Sequence, residues 1–175
     1  MMNKKGSIVD LFLFMILGFV VVVICGMFVY VGNTMEDELR DNADKFNTTS
    51  QSGDELITET FGAVNRSYNA LPWITFAFIM AYVLGILVSG YFITVKSPVY
   101  FVPYIIIVIV AVIVSAPISN VYEEIIHNPT LEATFSLFTA SNYILSNLPI
   151  WVAVVGVFSG IIMFVMYHKR PIGDY

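Results

Sequence analysis

"VYFVPYIIIVIVAVIVSAPI", Val99–Ile118, is rich in β-branched residues and by composition alone reads as a buried strand. Its length decides otherwise. Core strands usually run about four to eight residues, whereas a helix crossing a hydrocarbon layer about 30 Å thick needs about 20. Inside lipid every backbone amide and carbonyl needs a protein partner, and a helix supplies one within its own segment. The stretch is therefore a candidate transmembrane helix.

Three further segments meet the same test: Ile8–Val31, "IVDLFLFMILGFVVVVICGMFVYV"; Trp73–Val95, "WITFAFIMAYVLGILVSGYFITV"; and Ile150–Tyr167, "IWVAVVGVFSGIIMFVMY". Only 12% of residues are charged, where a soluble domain carries about a quarter, so the apolar excess belongs to a bilayer rather than to a large soluble core. The formal net charge of -5 argues against a nucleic-acid partner, because phosphate binding needs clustered Lys and Arg. The single cysteine, Cys25, sits in the first apolar run and has no partner for an intrachain disulfide.

Positive charge sets the expected orientation. Lys4 and Lys5 precede the first span, Lys96 lies in the tight link between the second and third, and Lys169 and Arg170 follow the fourth. Four crossings put all of them on one side. The two other loops hold Arg40, Lys45 and Arg66 against eleven acids. Both termini are thus expected on the cytoplasmic side, with Tyr30, Trp73, Tyr91, Tyr100, Trp151 and Tyr167 at the interfaces. "KKGSIVD" is similar to a prepilin-type cleavage signal. That signal has a glutamate at the fifth mature position, whereas Asp10 would be fourth, so the segment reads as an uncleaved anchor.

The longer outer segment, 33–71, carries apolar residues at helical spacing on both sides of "NTTSQSGD", a turn-forming run. Met35, Leu39, Ala43 and Phe46 form one stripe; Ile57, Phe61, Val64, Tyr68 and Leu71 form the other. Ser52 and Glu55 have the spacing of a capping box, which starts the second helix. This predicts an outer helical hairpin whose arms continue the first two spans. Eight carboxylates solvate its outer faces. Asn47 and Asn65 head sequons for N-glycosylation on the same side. In the second outer segment, 119–149, Pro117 is expected to weaken the end of the third span. Asn128 can cap a helix beginning at Pro129, and Leu131, Phe135 and Phe138 share one face. Short helices lying on the interface and closing the sides of the hairpin are the expectation. Leu39, Phe46, Phe61, Tyr68, Leu131, Phe135 and Phe138 are the expected outer-face contacts.

Glu124 and His127 stand three apart, the spacing of helix-borne metal ligands. Di-metal carboxylate bundles need two such pairs and two further glutamates. The one other histidine, His168, falls at the opposite side of the membrane, so solvated interface residues are the expected reading and no cofactor is expected. The sequence has no Gly-rich phosphate loop and no Gly-x-Ser-x-Gly, and no charged residue stands deep inside a span. An enzyme or an ion-coupled transporter is disfavoured. Small residues recur four apart: Ala81, Gly85 and Ser89 in the second span, Ala111 and Ser115 in the third, and Gly156 and Gly160 in the fourth. Such spacing lets helix backbones approach, within the chain or between copies in a homo-oligomer.

The expectation is an all-α integral membrane protein forming one membrane domain over 1–175. Four transmembrane helices lie at about 8–31, 73–95, 99–118 and 150–167, with the outer hairpin and short interfacial helices between them. "KKGSIVDLFLF" (Lys4–Phe14), "SNVYEEI" (Ser119–Ile125) and "FTASNYILSNLPIWVAVVGVFSGIIMF" (Phe138–Phe164) give the chain a pattern that resembles the small multi-span membrane proteins of tailless, lipid-containing viruses of bacteria and archaea. The resemblance implies a virion membrane component beneath or between capsid proteins, in a virion internal membrane or the host cell membrane. It implies membrane lipid and other membrane or capsid proteins as partners. The competing classes are a holin-like membrane-permeabilising protein and an accessory subunit of a cellular membrane complex.

Overall fold

A computed structural model describes residues 6–47, 52–92 and 101–168, with side chains from Phe12 onward except at positions 63, 65, 89–92 and 167. Within the described residues the chain is helical. The helices are α1 (Gly6–Asp41), α2 (Gly53–Phe92), α3 (Phe101–Ile126), α4 (Glu132–Phe135), α5 (Thr139–Ser146) and α6 (Leu148–His168). Four of them, α1, α2, α3 and α6, are long and apolar enough to cross a membrane. The lysines and arginine used above for orientation, Lys4, Lys5, Lys96, Lys169 and Arg170, lie outside the described residues.

Length separates the four helices into two kinds. The 21 residues of α6 rise about 31 Å, close to the hydrocarbon thickness. The 36 residues of α1 and the 40 of α2 rise about 54 and 60 Å, so each extends well past any layer that α6 spans. They do so side by side. Phe14 stacks on Tyr82 with ring centroids 5.6 Å apart, and further along Gly32 lies against the ring of Tyr68. A Cβ at position 32 would overlap that ring, so this crossing needs glycine for close approach.

The expected hairpin is present, with one change at its tip. The first arm stays α-helical only to Asp41, not to Phe46, and a 3-10 turn follows over Ala43–Phe46. Asn42 accounts for the stop: its side-chain amide donates to the Glu38 carbonyl at 2.8 Å and replaces a backbone donor there. The second arm starts at the predicted capping box. Glu55 N–H donates to Ser52 Oγ and Ser52 N–H to Glu55 Oε2, both at 3.3 Å. Asn47 Oδ1 accepts from Gly53 N–H at 2.7 Å, and Gly53 comes so near the Ala43 carbonyl that a side chain would not fit. Half of the predicted turn run, residues 48–51, lies outside the described residues.

α3 does not end near Ile118. It continues through Pro117 to Ile126. A proline inside a helix removes one hydrogen bond and costs about 3 kcal/mol. Here the next turn is fixed from outside the helix: Ser119 and Tyr122 are both buried and both bonded to the segment before α6.

Between α3 and α6, α4, the 3-10 turn Ser136–Phe138 and α5 pack into the bundle. Phe135, Phe138, Ile144, Leu145 and Leu148 join Phe14, Met15, Val22, Val29 and Ile79 in one continuous core. The segment is a wedge driven between α1, α2 and α3. On α1 the residues at its centre, Met15, Val22 and Val29, repeat every seven positions and are fully buried, the seam of left-handed helix packing.

Candidate functional site

The wedge is held by polar groups that α3 presents one turn apart. Ser119 Oγ lies 2.6 Å from the Ser146 carbonyl and 3.0 Å from that of Leu145, at the end of α5, where helical carbonyls lack partners. Tyr122 Oη donates to Asn142 Oδ1 at 2.6 Å, and the Asn142 amide donates to the Phe135 carbonyl at 2.7 Å. The chain Tyr122–Asn142–Phe135 thus ties α3 to both halves of the wedge. Buried backbone groups at irregular turns need partners, and these side chains supply them. One buried hydroxyl, that of Ser141, has no partner among the described residues.

The apolar side of the wedge is built on Gly26. The Phe135 ring occupies the space a Cβ at Gly26 would need. Tyr122 meets the same ring edge-on at 6.3 Å and Phe19 meets Tyr122 edge-on at 6.1 Å. Phe135 and Phe138 are buried and Leu131 packs against the same core, with the Phe135 ring seated in the notch that Gly26 opens. The helix expected to begin at Pro129 under an Asn128 cap does not: α4 starts at Glu132 with Leu131 at its N-cap and no side-chain cap, and Asn128 instead holds the turn before it. The Asn128 Oδ1 accepts from Thr130 N–H at 3.0 Å and its carbonyl from Leu131 and Glu132, both at 2.9 Å.

At the far end of the bundle α3 and α6 pack through the glycines of the fourth span. Gly156 faces Val108, whose Cγ1 lies 2.7 Å from the site of a missing Cβ, and Gly160 faces Tyr104 at 3.0 Å. Tyr104 Oη donates to the Gly156 carbonyl at 2.7 Å. Ala111 and Ser115 are fully buried, and Ser115 Oγ bonds the Val112 carbonyl of its own helix at 2.7 Å. The pattern in α2 is placed differently. Ala81 and Gly85 face outward, nothing lies within 4 Å of a Cβ at Gly85, and the Ser89 side chain lies outside those described. Among the outer-face residues, Leu39, Phe61 and Tyr68 are half-buried and Phe46 is exposed.

Glu123, Glu124 and His127 are exposed around the end of α3. No three His, Cys, Asp or Glu side chains among the described residues are grouped so as to hold a metal ion. Between the outer arms, Gly32, Met35, Glu36, Phe61, Val64 and Tyr68 line a shallow depression of about 40 Å³. Arg40 pairs with Glu36 beside it at 2.8 Å.

Sequence reading missed the residues that seat the wedge: Gly26, Ser119, Tyr122 and Asn142. Gly26 sits in a run where glycine is common in membrane helices, and "SNVYEEI" looked like a helix end entering water. The pairing of Tyr122 with Asn142 spans twenty positions and leaves no local signal. Comparison with protein-family models, curated proteins and solved structures found no match.

Proposed function

We propose that this chain is a structural membrane protein that works through assembly contacts, as a virion membrane component beneath or between capsid proteins. The observation that carries the reading is the extension of α1 and α2 beyond the wedge. From the Phe135 contact at Gly26, α1 runs on to Asp41, about 22 Å at 1.5 Å per residue. Its partner arm is locked to it by Gly32 and Tyr68 and closed by the capping box at Ser52. A stiff, acidic, two-helix post on a membrane bundle suits contact with another protein. The side chains that converge in the bundle, hydroxyls and an amide bonded to backbone carbonyls, fix shape and offer no reactive group.

In this reading both termini lie on the cytoplasmic or virion-interior side and the post on the opposite face, which the sequence positions of Lys4, Lys5, Lys96, Lys169 and Arg170 support. Fractionation of purified lipid-containing particles tests the reading. The chain is expected in the membrane-bearing particle, solubilised with lipid by detergent and retained on salt washing. Its absence from particles, with abundance in uninfected cells, would reject the viral role.

A further inference from the structure

We propose that the depression between the outer arms of α1 and α2 docks a basic amphipathic helix of a partner protein, one apolar side chain entering between Met35 and Val64. This rests on the assembly reading above and names the chemistry of the contact. The depression offers about 40 Å³, room for the end of one side chain, over a floor fixed by the Tyr68 ring in the notch at Gly32.

Its position argues for water on both sides of it. Met35 lies about 13 Å along α1 from the wedge contact at Gly26, and the acidic run Glu36–Asp37–Glu38 follows at once. Yet Met35 is 55% exposed and Val64 41%, apolar side chains left uncovered beyond the expected end of the span at Val31. Uncovered apolar side chains outside lipid suit a protein contact.

Charge selects the occupant. Residues 33–71 carry eight carboxylates and three basic groups. Of the three, Arg40 is engaged by Glu36 and Lys45 by Asn42 Oδ1 at 2.6 Å. A second copy would bring the same negative field against this one, which opposes self-association through this face. A helix with an apolar stripe between lysines and arginines matches both the groove and its rim.

The test uses the full chain in nanodiscs of neutral phosphatidylcholine, with empty discs as control. The probe is a fluorescent helical peptide with leucines on one face and Lys/Arg on the other, compared with the same peptide carrying Glu in place of Lys/Arg. The basic peptide is expected to bind, the acidic one not. Met35→Gln with Val64→Gln, which leaves the charge unchanged, should weaken binding about tenfold, or about 1.4 kcal/mol. Equal binding of both peptides, or full binding to the double variant, would overturn the groove. In native membranes a photo-crosslinker at Val64 should capture a different chain through a Lys/Arg-rich helix. An adduct of two copies of this chain would reject the proposal and leave the assembly reading standing. Peptide binding by a chain that is absent from isolated particles would do the reverse.

Discussion

A few side chains decide whether the wedge seats. Gly26 is the most exacting, because the Phe135 ring already fills the space of its missing Cβ. Gly26→Val is expected to destabilise the bundle by about 1–3 kcal/mol through overpacking, read as a lower unfolding temperature in detergent. Adding Phe135→Ala should recover part of that loss, since the two residues share one space and their effects are then not additive. Two independent, additive losses would show that the ring is not in the notch. Tyr122→Phe removes one hydroxyl and leaves the half-buried Asn142 Oδ1 without its donor, a cost of about 1 kcal/mol. Asn142→Ala made in the Tyr122→Phe chain should add less than it does alone. Equal losses in both backgrounds would place the two groups apart.

At the scale of elements, the capping box and the crossing at Gly32 define the outer hairpin. Ser52→Ala should cost about 1 kcal/mol and speed hydrogen exchange at the first amides of α2, while leaving α3 and α6 unchanged. Met35→Cys with Val64→Cys, in a Cys25→Ser chain, should be bridged within one molecule by a short bis-maleimide, since both residues line one depression. Bridging only between molecules would contradict the hairpin. The existence and direction of this element were legible because its signals are local: a turn-forming run, a capping box and two stripes at helical spacing. The end of the first arm was less so, since the choice between an α turn and a 3-10 turn after Asp41 hangs on one asparagine amide. The course of α3 through Pro117 was not legible at all. Local propensity argues for a stop there, and the bonds of Ser119 and Tyr122 to residues 27 and 20 positions downstream oppose it.

For the molecule as a whole, the four apolar helices follow directly from sequence, because lipid imposes length and backbone satisfaction on each span separately. The arrangement between spans does not follow. Lipid-facing and core-facing positions in such runs are equally apolar: on α1, Met15, Val22 and Val29 are buried while Leu17, Ile24 and Val31 are exposed, with nothing in composition to separate them. The seating of the wedge likewise does not follow until Phe135 is seen against Gly26.

The central claim is that α1 leaves the membrane as one unbroken helix and carries an outer post paired with α2. Spin labels placed singly from Val20 to Asp41 in lipid nanodiscs test it by collision with oxygen and with a water-soluble nickel complex. The account predicts one helical periodicity throughout, with oxygen favoured at exposed Val20 and Ile24 and the nickel complex favoured at Met35 and beyond. Loss of periodicity after Val31, with uniformly high nickel access and mobile spectra, would contradict it.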